Sequence, residues 1–262
     1  MKTIKIQCPA KINLDLKVSK KDTITGFHPI KSTMQAISLF DFLTIKLEDG
    51  EGIFLSGNNT EIPYDEKNLC YKAIELFLKT TKKTAKVSIF IEKNIPVCAG
   101  LAGGSTDGAG VLFGLNKLFN EPLDKIELHK LAAKLGSDLN FCIEGGTKLC
   151  EGRGEKLTDL PFCNFELSLV KPKNLKISAK EAYEAFDYLD KTSVLKNDLE
   201  FALLSKYKEL QFLNSKGMQM SGSGPTFFIK NKTVDFELDE NYIVIENLHA
   251  IPYGIKEAFS NA

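Results

Sequence analysis

The segment IPVCAGLAGGSTDGAGVLFGLNKLF, residues 95 to 119, constrains this chain more than any other. An apolar entry leads through Gly100, Gly103 and Gly104 into Ser105, Thr106 and Asp107, each able to cap a helix, and then into an apolar run of helical period. Such a segment builds a tight turn that delivers the first turn of a helix to one place. Glycines leave backbone N–H groups uncovered, and the helix adds its own unpaired N–H groups and the positive end of its dipole. The product is an anion cradle, although a plain strand-to-helix turn with small residues for packing fits these residues alone equally well. Two familiar phosphate loops are excluded. A Walker-type loop places Lys and then Ser or Thr after its last glycine, whereas Ser105 and Thr106 follow Gly104 directly. A dinucleotide fingerprint needs three glycines at fixed spacing opening a βαβ unit, and neither spacing nor surroundings agree.

Charge makes a backbone cradle the economical choice. The 262 residues carry 34 Lys and Arg against 34 Asp and Glu, so an anion site must be local rather than a property of the whole surface. Arg153 is the only arginine, which rules out a set of guanidinium clamps. At this length the chain buries a core without staples. Cys8, Cys70, Cys98, Cys142, Cys150 and Cys163 are widely spaced, form no metal-ligand pattern, and are expected to be reduced thiols. The N-terminal residues alternate polar and apolar and lack the continuous apolar stretch of a signal peptide, and no segment approaches the roughly 18 uninterrupted apolar residues of a membrane span. The expected location is the cytoplasm, with neither membrane nor nucleic acid as partner.

Ile12, Leu14, Leu16 and Val18 alternate with polar residues as in a half-buried strand, and 87–91 repeats the pattern, with a further strand over 41–48. Leu69, Ala73, Leu76 and Phe77 share one face of a helix over 68–81. Asp124 with Glu127 forms a capping box before the Leu128, Leu131, Ala132 and Leu135 stripe, which Gly136 ends. Strands are predicted at 165–170, 225–230 and 241–246, and helices at 178–190 and 197–214. This mixture, without strict βαβα alternation, predicts an α+β fold whose parts pack closely because no linker or repeat separates them.

Three further places carry polar groups whose ordinary readings are structural: SGSGPT at 221–226 as a turn, Lys11 with Asn13 as solvated strand residues, and Asp138 as a cap after a helix terminator. Their order along the chain adds information. CPAKINLDL from Cys8, the central segment, and MSGSGPTFF from Met220 resemble the three motifs of the GHMP small-molecule kinases, and the likeness covers most of the chain. GFHPI at 26–30, NLCYKA at 68–73, LGSDLNF at 135–141, EGRGEKL at 151–157 and ISAKEAY at 177–183 resemble those members whose acceptor is a cytidine diphosphate-linked methylerythritol. Cys98 and Ala102 stand where glycines are frequent, and are small enough to be expected to keep the cradle intact. Ala179 stands where threonine is frequent, and lacks its hydroxyl.

The resemblance implies an α+β fold of two lobes, with a ribosomal-protein-S5-domain-2-like, ATP-binding lobe over residues 1–160 and a second α+β lobe over 161–262. It implies transfer of the γ-phosphoryl of ATP to the acceptor's 2-hydroxyl, with Mg²⁺ accompanying ATP through ligands that the motifs do not indicate. The nucleotide would meet Pro96, Val97, Cys98, Ala99, Gly100, Leu101, Ala102, Gly103, Gly104, Ser105 and Thr106 at its phosphates, and Asn68 and Lys93 near adenine. Asp138 would accept the hydroxyl proton while Lys11 holds Asp138 ionised and stabilises charge on the attacking oxygen. Asn13 lies two residues along the same strand and would orient the acceptor. Phe27 and Tyr183 would stack on the cytosine, with His28 at its edge. A homoserine- or mevalonate-type member would share the glycine loop but lack GFHPI with Tyr183. An S5-like RNA-binding module is the alternative from another class, and the neutral charge without a basic stripe opposes it.

Overall fold

The computed structural model describes residues 1–189 and 193–258. Polar-apolar alternation begins ahead of residue 12 and forms β1 (Lys2–Asn13), with Ile4, Ile6, Cys8, Ala10 and Ile12 buried. It does not run on to Val18. Asp15 breaks it, because its carboxylate accepts the Thr33 N–H at 2.7 Å and its carbonyl accepts the Ser32 hydroxyl at 2.6 Å. The pattern resumes only as β2 (Lys17–Val18). The strand predicted over 41–48 is the second half of β3 (Ile30–Glu48), followed by β4 (Gly52–Gly57), α1 (Leu69–Thr81) and β5 (Lys86–Glu92). Next come α2 (Gly103–Leu118), α3 (Lys125–Leu135), α4 (Leu139–Glu144), β6 (Thr147–Gly152) and β7 (Lys156–Asp159). The capping box of α3 is present as predicted.

The remaining elements are β8 (Glu166–Pro172), α5 (Ala179–Asp187), α6 (Asp198–Leu204), α7 (Lys208–Ser215), β9 (Gln219–Met220), β10 (Phe227–Lys230), β11 (Tyr242–His249) and β12 (Lys256–Glu257). The helix predicted over 178–190 ends at Asp187, and its last residue lies outside the described residues. The helix predicted over 197–214 is two helices. Tyr207 adopts an extended conformation and its hydroxyl donates to Glu181 of α5, which turns the chain between α6 and α7.

The larger sheet has the order β12-β1-β3-β5-β4, with β2 and β6 on the first half of β3 and β7 on β6; only β4 and β5 run parallel. The smaller sheet, β11-β8-β10-β9, is antiparallel. Residue 160 falls between β7 and β8, yet β12 returns to β1. Two cores also cross that point: Leu16, Ile30, Met34 and Phe141 pack with Ile177, Leu199 and Phe227, and Ala10, Ile12 and Ile37 pack with Leu167, Leu169 and Phe228. The apolar burial that holds the two sheets together also fixes β1 against the loop that enters β10.

Candidate active site

Lys11 and Asn13 point to the same side of β1, and both are buried. The Lys11 ammonium donates to Asn13 Oδ1 at 2.6 Å and to the Gly100 carbonyl at 3.0 Å. It also stands 3.8 Å from Asp138 Oδ2, an ion-pair distance too long for a hydrogen bond. Ser221 closes the group from the other sheet, donating from Oγ to the Gly100 carbonyl at 3.0 Å and accepting the Asn13 N–H at 3.3 Å. Asp138 begins α4 without capping it by its side chain, so its carboxylate remains directed at Lys11. Gly100 and Asp138 thus meet the Lys11 ammonium directly, and Ser221 joins the group through the Gly100 carbonyl and the Asn13 N–H.

The glycine loop runs from the end of β5 into α2. Cys98, Gly100 and Ala102 have φ of +51°, +72° and +58°, and left-handed residues at alternate positions form the backbone pattern of an anion nest. At Gly100 the need for glycine is absolute, since a Cβ would lie 2.2 Å from the Ser221 carbonyl oxygen. Ala102 is the N-cap of α2 and offers no side-chain acceptor, leaving the first-turn N–H groups for a ligand. The small replacements at 98 and 102 therefore keep the loop's path, but in a conformation that disfavours any Cβ by about 1–2 kcal/mol. Cys98 is exposed and contributes little packing, so Cys98→Gly is expected to raise unfolding stability by about 0.5–1 kcal/mol. A lowered urea midpoint would contradict this.

Loop and catalytic cluster line one cavity of about 650 Å³ that also includes Asn68, Lys93, Ala179 and Tyr183. Leu101 and Thr106 are buried behind it, Leu101 in the core with Ile12. Asn68 caps α1 by accepting the Cys70 N–H at 2.9 Å. The Lys93 ammonium is held by Asp41 and by Asp107, the latter at 2.8 Å.

At the far end Tyr183 lines the cavity, and its phenol is pushed up to about 12 by burial and then by the charge of Asp138. His28 stacks on Tyr183 with ring centroids 5.3 Å apart. Its Nδ1 lies 2.9 Å from the Ser19 carbonyl and its Nε2 3.3 Å from Asp187, so both ring nitrogens face protein partners. Phe27 is 52% exposed, with the Arg153 guanidinium 5.1 Å from its ring centroid. The sequence reading brings Phe27, His28 and Tyr183 together; the structure joins the last two and sets Phe27 beside Arg153. Arg153 also lines the cavity, a place the sequence reading does not give it; being the sole arginine, within EGRGEKL, is the signal that marks it. Among the described residues no group of three or more His, Cys, Asp or Glu could hold a metal ion, and no helix is long and apolar enough to cross a membrane.

Residues 68–146 match the family model of the GHMP kinases N terminal domain. The chain is 43% identical to the 4-diphosphocytidyl-2-C-methyl-D-erythritol kinase of Clostridium botulinum (strain Alaska E43 / Type E3) over 253 residues, 85% of this chain and 89% of that protein. The protein of that name from Syntrophomonas wolfei is 37% identical, with 86% of this chain and 88% of that one covered. Among solved structures, one of a 4-(cytidine 5'-diphospho)-2C-methyl-D-erythritol kinase matches with a TM-score of 0.72 at 29% identity, covering 86% of this chain and 89% of that chain. A homoserine kinase from Cytophaga hutchinsonii has a TM-score of 0.76 over 98% of both chains at 16% identity, a likeness of fold alone. Sequence identity of 43% and 37% over 85% and 86% of this chain, together with the meeting of the three motifs around the Gly100 carbonyl, establishes that this chain belongs to the 4-diphosphocytidyl-2-C-methyl-D-erythritol kinase family within the GHMP kinases.

Proposed function

We infer that this chain transfers the γ-phosphoryl of ATP to the 2-hydroxyl of 4-diphosphocytidyl-2-C-methyl-D-erythritol, in the non-mevalonate route to isoprenoid precursors. The observation that carries the reading is a single cavity with a backbone anion cradle along one wall and the Lys11–Asp138 pair at its base. Phosphoryl transfer asks for positioning and charge neutralisation more than covalent work, and that is what the cavity offers. Asp138 takes the hydroxyl proton as the oxygen bonds to the γ-phosphorus and the bond to ADP breaks. Lys11, already donating to Asn13 and Gly100, presents its remaining N–H to the attacking oxygen. Asn13 is held in turn, donating from Nδ2 to Ser32 at 2.7 Å, and so keeps a fixed orientation toward the acceptor.

The N–H groups of the loop and of the first turn of α2 take the phosphates, and Asn68 borders the adenine end, whereas the Lys93 ammonium is held by Asp41 and Asp107 beneath the start of α2. Mg²⁺ would accompany ATP and would neutralise charge on its phosphates, with no cluster of three or more His, Cys, Asp or Glu among the described residues to cage it. Tyr183 offers a neutral face to the cytosine, while Phe27 and Arg153 form the rim of that end with His28 behind Tyr183. Residues 1–160 form the nucleotide-binding lobe in this reading and 161–262 the second lobe, and the chain works in the cytoplasm.

The test is ADP release coupled to a panel of alcohols comprising the cytidylyl substrate, its uridine analogue, homoserine and mevalonate. Turnover is expected with the cytidylyl substrate and not with homoserine or mevalonate, which offer no base for Tyr183 to stack on. Tyr183→Ala is expected to raise the acceptor KM by roughly ten- to a hundredfold, the usual worth of one stacking face, with the KM for ATP unchanged. Comparable kcat/KM with homoserine or mevalonate would replace the acceptor. An unchanged acceptor KM in Tyr183→Ala would remove the stacking role.

A further inference from the structure

The buried charges behind the nucleotide cradle do not balance. The Lys93 ammonium, at the end of β5, meets Asp41 of β3 and Asp107 in the first turns of α2. Asp41 is well partnered, since its Oδ1 also accepts the backbone N–H groups of Asn94 at 2.6 Å and Ile95 at 2.8 Å. Asp107 is 3% exposed and lines the cavity, yet among the described residues only its Oδ2 has a partner; Oδ1 is buried with none. With both carboxylates ionised, the cluster would seal one net negative charge directly under the place where a triphosphate binds. A buried carboxylate with one oxygen unpaired is its least stable member.

We propose that Asp107 is a positioning residue that acts as a neutral carboxylic acid in the nucleotide complex, taking up one proton from solution as ATP enters the cradle. This rests on the reading of residues 96–106 as the phosphate site. The added proton is held by Asp107, and Lys93 with Asp41 is left as a neutral ion pair. The pair sits directly beneath the start of α2, because a Cβ on Gly103 would stand only 2.8 Å from the Lys93 ammonium. The charge state of the cluster therefore reaches the cradle through Lys93 and Gly103, and Asp107 itself need not touch a phosphate.

The surroundings favour this assignment. Burial pushes the Asp107 carboxyl up to about 7, opposed by Lys93 and assisted by Asp41. Burial opposes the charge on Lys93, but the two carboxylates outweigh it and hold the ammonium above the ordinary lysine value. The other titratable groups facing Asp107 are the thiols of Cys8 on β1, Cys70 on α1 and Cys142 on α4, all pushed up by burial and uncharged near neutrality. Because the folded value of Asp107 is raised from 3.8, the folded chain binds the extra proton and loses stability as pH rises from there to about 7. Above that range the free enzyme holds Asp107 ionised, and an entering polyanion must draw a proton in.

The experiment is calorimetric titration of the full chain with MgADP at pH 6 and pH 8, in pairs of buffers of different ionisation enthalpy. The nucleotide's own titration cancels between proteins. At pH 8 the wild type is expected to take up about half a proton or more per nucleotide beyond Asp107→Asn, and no excess is expected at pH 6. The affinity of Asp107→Asn relative to wild type should rise about three- to tenfold between the two pH values. Asp41→Asn leaves Lys93 a single carboxylate partner and should abolish the excess as well, so the outcome does not hang on the folding of one variant. Equal proton uptake by the wild type and either variant at pH 8 overturns the proposal. Failure of the wild type to bind MgADP would instead overturn the cradle.

Discussion

Asp138→Asn lowers kcat by roughly 10²–10⁴-fold, the usual worth of a positioned proton acceptor, with little change in either KM. The variant is a clean probe. Lys11 keeps its hydrogen bonds to Asn13 and Gly100, so no buried ammonium is orphaned when the carboxylate is neutralised. The Asp138 side chain is 28% exposed and caps nothing, so its replacement leaves α4 in place. Lys11→Ala also lowers kcat. Because the two side chains act as one unit, the double variant should be far less impaired than the product of the single losses. Steady-state kinetics on the four proteins decide the matter: multiplicative losses, or an active Asp138→Asn enzyme, mean that the proton acceptor is elsewhere.

Gly104→Val abolishes productive ATP binding, with affinity falling at least about a hundredfold, while the protein still folds. The choice of position comes from the structure. A Cβ on Gly104 meets nothing within 4 Å, and the residue lines the cavity, so valine methyl groups project into the space that the phosphates need. The strain within the helix is under about 1 kcal/mol, the propensity difference of ordinary residues. Gly103→Val looks equivalent in the sequence but is not. Its Cβ would stand 2.8 Å from the Lys93 ammonium and 3.1 Å from Ile95 Cγ2, pressing on the buried charge cluster and confounding binding with folding. Calorimetry giving wild-type ATP affinity in a folded Gly104→Val protein would remove residues 96–106 from the phosphate site.

Local patterns carried a good deal of this molecule. The glycine loop, its helix α2, the α3 capping box and the strands β5, β8, β10 and β11 were legible because each depends on interactions within a few residues, where period, caps and turn residues speak directly. The ordered motifs carried the family. What failed locally were places where a distant partner decides: Asp15 ends the first strand by bonding to β3, and Tyr207 splits a predicted helix by reaching α5. The same holds for chemistry. Lys11 and Asn13 could be put on one face of a strand from a period of two, but that their ammonium meets Gly100, Ser221 lies across that carbonyl and Asp138 stands opposite follows from the packing of two sheets. Resemblance singles out Lys93 among 33 lysines as a nucleotide contact, but only burial against Asp41 and Asp107 gives its ammonium a fixed place. Residue spacing determines which groups can share a face; long-range burial alone determines which faces meet, because apolar packing is non-directional and sums over the whole chain.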